Sequence, residues 1–168
     1  MADPAGGASG HYAICVGDFY EDLAARLVEG ARSEFSAAGI GDDEIEIFKV
    51  PGAFELPLAA HYCASSGRFS GVACLGAVIR GETTHDQHIN RAVSVTLAEI
   101  GVRHKLPVLF GVLTCSTLEQ AVARSGGAHA TTGKDVPNKK IGNKGVDCAE
   151  AALEMVNLLA QLRAMKKD

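Results

Sequence analysis

The chain has 168 residues, 47% of them apolar and 21% charged, with a net charge of −4 and a pI near 5.8. This length suits one domain with a sizeable core, and the acidic balance argues against nucleic acid or an anionic membrane as a partner. No apolar run approaches the ~20 residues of a membrane span, no signal-peptide pattern opens the chain, and five cysteines with no CxxC pair suit free thiols in a reducing cytoplasm better than a zinc site or a disulfide framework.

Residues 1–10, rich in Ala and Gly, read as a disordered leader to a single domain over 11–168. Tyr12-Ala13-Ile14-Cys15-Val16 is predicted as the first strand. Leu23, Leu27, Ala31 and Phe35 then share one face of a helix that stops at Gly39. Ile45 to Val50 forms the second strand, and Pro51-Gly52 breaks it. Ala53-Phe54-Glu55-Leu56-Pro57 opens a second helix, with Pro57 tolerated in the first turn, that ends near Gly67. The apolar run from Val72 to Ile79 has the pattern of a strand buried on both faces. After it, Ile89, Val93, Leu97 and Ile100 recur at helical spacing.

Pro107 to Thr114 is the fourth predicted strand, and Ser116 with Glu119 makes a capping box for a short helix carrying Arg124. Residues 126–145, with their glycines, Pro137 and several lysines, lack periodicity and read as a mobile linker. The last helix, from about Val146 to Leu162, is expected to bury Ala149, Leu153, Val156 and Ala160 and to end in Lys166-Lys167. Strand and helix alternate four times, which predicts an α/β three-layer sandwich: a four-stranded parallel sheet with helices on both faces.

In such a sheet the carboxyl ends of the strands form the ligand crevice. Four stretches meet that condition: Asp18-Phe19, Gly52 to Glu55, Gly81 to His85, and Thr114 to Ser116. Free N–H groups at a helix start favour an anion, phosphate above all. His85, preceded by Thr83 and Thr84 in a polar turn, is placed to move protons beside a phosphate compound; otherwise it is simply a helix-start residue. Phe19 follows a polar Gly-Asp pair and could stack on a planar heterocycle, or cap the core. Asp86 and His88 lie beside His85, but no third metal ligand is in view. Arg124 could clamp a phosphate bidentately or stand free on the surface.

Ala128 to Asp135 is a near miss to a P-loop, lacking the first Gly and the Ser/Thr after Lys134. Neither GxSxG nor GxGxxG occurs.

The runs Val50-Pro51-Gly52-Ala53-Phe54-Glu55-Leu56-Pro57, Leu75-Gly76-Ala77-Val78-Ile79-Arg80-Gly81-Glu82-Thr83-Thr84-His85 and Leu109-Phe110-Gly111-Val112-Leu113-Thr114 carry a resemblance. So do Glu119-Gln120-Ala121 with Arg124, and Gly142-Asn143-Lys144-Gly145. Collinear from about Tyr12 to Leu162, the chain closely resembles the lumazine synthase family of riboflavin biosynthesis. The resemblance implies a flavodoxin-like fold and a transferase. It would join 5-amino-6-(D-ribitylamino)uracil to 3,4-dihydroxy-2-butanone 4-phosphate with no metal or organic cofactor.

It further implies that Phe19 stacks on the pyrimidine, and that Ala53, Phe54, Glu55, Ala77, Val78 and Ile79 hold its polar edge and ribityl chain. Glu82 and Thr83 would meet the phosphate, Arg124 would clamp it and His85 would carry protons. Phe110 and Arg124 would come from a neighbouring subunit of a homopentamer. The family also brings a higher shell assembly and riboflavin synthase into view as partners.

Three departures from the family pattern stand out. Asp86-Gln87-His88 replaces an aromatic-acidic-aromatic run, Tyr20 stands where a small polar residue is usual, and the linker after Arg124 is long. Its glycines and lysines would place like charge where pentamers meet, so a free pentamer is expected in preference to a shell. Two other classes compete. A flavodoxin-like binding module without turnover would lack His85 or Arg124, and a structural shell protein would have a degraded site.

Overall fold

The computed structural model describes residues 10–127 and 142–165. All of the expected leader but Gly10, most of the expected linker and Lys166-Lys167 lie outside them. Nine elements carry the fold: β1 (Tyr12–Gly17), α1 (Glu21–Ala37), β2 (Ile45–Val50), α2 (Leu56–Ser65), β3 (Gly71–Ile79), α3 (His85–His104), β4 (Val108–Cys115), α4 (Leu118–Arg124) and α5 (Lys144–Ala164). All pairings among the strands are parallel, in the order β2-β1-β3-β4. The expected single α/β sheet with helices on both faces is the fold observed.

Burial follows from that order. β1 is buried along its whole length and β3 along all but its carboxyl end, because each has a strand on either side and helices above and below. Alternate residues serve opposite cores. Tyr12, Ile14, Val16, Ala73 and Leu75 join Leu23, Leu27, Ala31 and Phe35 of α1 and Ala149 and Ala152 of α5. Ala13, Cys15, Val72 and Cys74 join Leu56 and Ala60 of α2 and Val93, Leu97 and Ile100 of α3. All five cysteines are buried and free. α1 ends as its sequence demands, with Gly39 at φ +88°, a conformation that costs glycine nothing.

Three local expectations shift. Ala53–Glu55 forms a 3-10 turn, and the α-helix proper starts at Leu56, which places Pro57 where its missing N–H is not needed. The N-cap of α4 moves by one residue. β4 runs on to Cys115, so Thr117 is the extended N-cap residue and its Oγ1 accepts from Gln120 N–H at 3.2 Å. Gln120 Oε1 in turn accepts from Ser116 N–H at 2.9 Å. Ser116-Thr117 and Glu119-Gln120 offer two overlapping boxes; the end of β4 selects Thr117 as N-cap, and the return bond from Gln120 falls on Ser116 rather than closing the second box.

The third shift concerns the last helix, which begins at Lys144 rather than Val146. Ala149 is buried as expected, Leu153 and Val156 pack half-buried on the core, and Ala160 is exposed while Ala152 takes the buried place.

Asn143 explains the early start of α5. Its Oδ1 accepts from Gly145 N–H at 2.8 Å, capping α5. Its Nδ2 donates to the carbonyls of Arg26 at 2.9 Å and Ser125 at 3.0 Å. One amide therefore ties the start of α5 to α1 and to the end of α4.

Candidate active site

The chain leaves β1 outward to β2 and then returns across β1 to β3, so the connections diverge at the carboxyl ends of β1 and β3. A crevice opens at such a switch point. Here Gly17 brings its walls together. A Cβ on it would stand 3.0 Å from the Gly52 carbonyl carbon and 3.1 Å from Ala53 N. Without one, Asp18 N–H donates to Val50 O at 2.9 Å and the turns after β1 and β2 pack backbone to backbone.

The resulting cleft measures about 380 Å³. Phe19 and Tyr20 come from the β1 turn; Gly52, Ala53, Phe54 and Glu55 from the turn after β2; Ala77, Val78, Ile79 and Gly81 from the end of β3; and Thr83, His85, Asp86 and Ile89 from the start of α3. A roomier groove of about 540 Å³ runs between α1 and β2, but its four carboxylates, Asp18, Glu21, Asp22 and Glu29, outnumber its two cations, Arg32 and Lys49. That acidic excess repels a phosphate, and the groove offers a flat ring no aromatic face.

Phe19 is 74% exposed, which removes the core-capping alternative; its ring meets Tyr20 edge-on at 4.9 Å. His85 is the first residue of α3 and exposed, and its N–H makes a long 3.4 Å contact with Thr83 Oγ1. Thr84, the residue before it, makes no side-chain cap; the Gln87 N–H donates to Thr84 O at 3.0 Å, and the His85 N–H has only its long contact with Thr83. Of the four strand-end stretches, three converge. The fourth, after β4, lies beyond β3 and contributes nothing to this cleft.

Among the residues anticipated for the site, Phe19, Ala53, Phe54, Glu55, Ala77, Val78, Ile79, Thr83 and His85 line one cleft. Glu82 is exposed beside it without lining it, and Arg124 closes α4 on the surface. Phe110 pairs with Cys74 and stands five residues short of Cys115. At ~3.3 Å per residue that is roughly 17 Å below the carboxyl edge. Gly52 and Gly81 line the cleft as members of the stretches singled out in the sequence, whereas Tyr20, Asp86 and Ile89 are lining residues to which the sequence assigned no substrate role. Tyr20 and Asp86 flank the strand-end turns, and Ile89 follows one helical turn later.

His88 is exposed and outside the lining, and among the described residues no three His, Cys, Asp or Glu side chains converge on one point. The cysteines offer no nucleophile. Contact with Cys15 and burial raise the Cys63 thiol, burial lifts Cys115 against the pull of Arg124, and burial pushes Cys148 up to about 12.

An open parallel sheet with an exposed aromatic ring, polar turns and an uncapped helix start around one cleft defines a class: flavodoxin-like α/β proteins with a crevice at the switch point. Residues 9–160 match the family model described as 6,7-dimethyl-8-ribityllumazine synthase, and the chain belongs to that family. Lumazine synthases are transferases that act on small molecules and work as oligomers.

Proposed function

We propose that the chain is a 6,7-dimethyl-8-ribityllumazine synthase condensing 5-amino-6-(D-ribitylamino)uracil with 3,4-dihydroxy-2-butanone 4-phosphate. The observation that carries this reading is one cleft holding a flat exposed ring, Phe19, and a histidine, His85, at a helix start without a side-chain cap. The two features suit the two substrates. A pyrimidine stacks on Phe19, while backbone N–H groups at the start of α3 and the Thr83 hydroxyl attract the phosphate.

The chemistry then asks little of the protein besides positioning and proton transfer. The amine of the uracil attacks the ketone and water leaves, giving an imine. Phosphate is eliminated next, and the second amine closes the ring with loss of another water. The substrate brings its own nucleophile, which suits a site whose thiols are all buried. His85 shuttles the protons, and the helix start stabilises the departing phosphate. Buried free thiols suit a reducing compartment, so we place the enzyme in the cytoplasm.

Mixing the protein with both substrates should generate lumazine fluorescence that depends on each. Tight binding of the uracil without product would make the protein a binding module instead.

Phe19 yields a graded test. Phe19→Tyr keeps a ring face and should bind the uracil nearly as well as the native protein. Phe19→Ala should lose ~1–3 kcal/mol, by analogy with bases stacked on aromatic side chains. Equal affinities by calorimetric titration would assign the ring to another task.

The cleft is half a site in this reading. Phe110 and Arg124 are remote from it in their own chain, and a neighbouring copy supplies them. Exposed Phe54, Leu58 and Tyr62 recur every four residues from the 3-10 turn along α2, an apolar stripe that an adjoining subunit covers. A closed ring of five 17.5 kDa chains has a mass of roughly 90 kDa. Light scattering should find that species; a monomer would remove Phe110 and Arg124 from the site, and a megadalton particle would mean that pentamers go on to form a shell.

A further inference from the structure

The inward face of α3 carries Val93, Leu97 and Ile100 into the core, and one and two turns earlier the same stripe is occupied by Asn90 and Asp86. Oδ1 of each is shielded from solvent and has no hydrogen-bond partner. Tyr12 Oη, the other such atom among the described residues, sits at the far end of β1, away from the cleft. Leaving a buried acceptor unpaired is costly, more so for a carboxylate. Two of them lie one helical turn apart, and the one on the residue that lines the cleft, Asp86, calls for a donor from outside the chain.

We propose that Asp86, supported by Asn90, is a specificity residue that accepts hydrogen bonds from the hydroxylated side chain of the uracil substrate. The inference rests on the cleft being the site of that reaction. Asp86 lines the cleft, and α3 packs there against the 3-10 turn that carries Ala53 and Glu55. A carboxylate repels a phosphate, so the phosphate substrate belongs at the His85 side of the helix start. Consecutive helical residues point about 100° apart, which separates the two tasks of His85 and Asp86. What remains beside Asp86 and Glu55 is the uncharged substrate, whose ribityl chain is a row of O–H donors. Donors and unpaired acceptors match in kind. A binder of phosphate alone would have no use for acceptors here.

The test compares native protein, Asp86→Asn and Asp86→Leu by titration with the ribitylaminouracil and with 5,6-diaminouracil, which lacks the ribityl chain. Asp86→Leu should bind the full substrate roughly tenfold or more weakly, the scale of a lost hydrogen bond to a charged group. Its affinity for the truncated compound should stay as in the native protein. Asp86→Asn, which keeps a carbonyl acceptor, should fall between. Thermal melts of the free proteins add a second readout: Asp86→Leu should melt no lower than the native chain, because an unpaired acceptor has been removed.

Native-like binding of both ligands by Asp86→Leu, an equal loss for both, or a lower melting temperature in both variants would overturn the proposal. Native protein that fails to bind the full substrate at all would instead overturn the reading of the cleft.

Discussion

His85→Ala is expected to slow turnover by roughly 10²-fold, within the usual range for removing a general acid–base group. Each stage of the condensation moves a proton at near-neutral pH, and imidazole is the side chain best suited to doing so in both directions. His85 heads α3, lines the cleft and is exposed, so truncating it leaves no hole in the core. Stability should therefore hold, and the loss should fall mainly on kcat while KM for the uracil changes little. Single-turnover kinetics with both substrates separates the chemical step from release. Native rates in this variant would make His85 a bystander and leave proton transfer to solvent or to a second residue.

Gly145→Ala is expected to destabilise the fold by roughly 3 kcal/mol, the upper end of ordinary overpacking. By propensity alone the change should stabilise a helix by about 1 kcal/mol. The tertiary structure reverses the sign. A Cβ at Gly145 would stand 1.9 Å from Leu27 O and 2.8 Å from its carbonyl carbon, and main chain cannot rotate aside as a side chain can. α1 and α5 touch along this line, and two residues earlier the Asn143 amide joins them at Arg26 O, next to Leu27. For a chain of this size the loss corresponds to a fall in Tm of roughly 10 °C. Gly142→Ala is the control, since its Cβ would meet nothing nearer than Asp147 Oδ1 at 3.7 Å. Melting all three proteins at one concentration keeps assembly from confounding the comparison. Equal Tm values for the native chain and Gly145→Ala would show that α1 and α5 can separate at no cost.

How far the sequence speaks depends on the range of the interaction involved. Strand and helix order, the buried run from Val72 to Ile79 and the stop at Gly39 were legible because each is encoded within a few consecutive residues. Parallel topology in turn implied that the strand-end turns would meet, and the turns carrying Phe19, Gly52 to Glu55 and Gly81 to His85 do so. The choice between Ser116 and Thr117 as cap was not legible. Both have the right chemistry, and only the ladder between β3 and β4, which extends to Cys115, separates them.

Composition, periodicity and turn chemistry by themselves determined the α/β class, the positions of four strands and the segments able to form a ligand site. Only the tertiary structure decided which residues share the cleft, leaving the turn after β4, Phe110 and Arg124 away from it. It also gave Asn143 three partners on three elements, brought Gly145 against the Leu27 carbonyl, and left Oδ1 of Asp86 and of Asn90 as buried acceptors. The physical reason is common to all of these. Close backbone approach, burial of a polar atom and an unmet hydrogen bond are properties of two segments at once, and neither segment alone carries their signature.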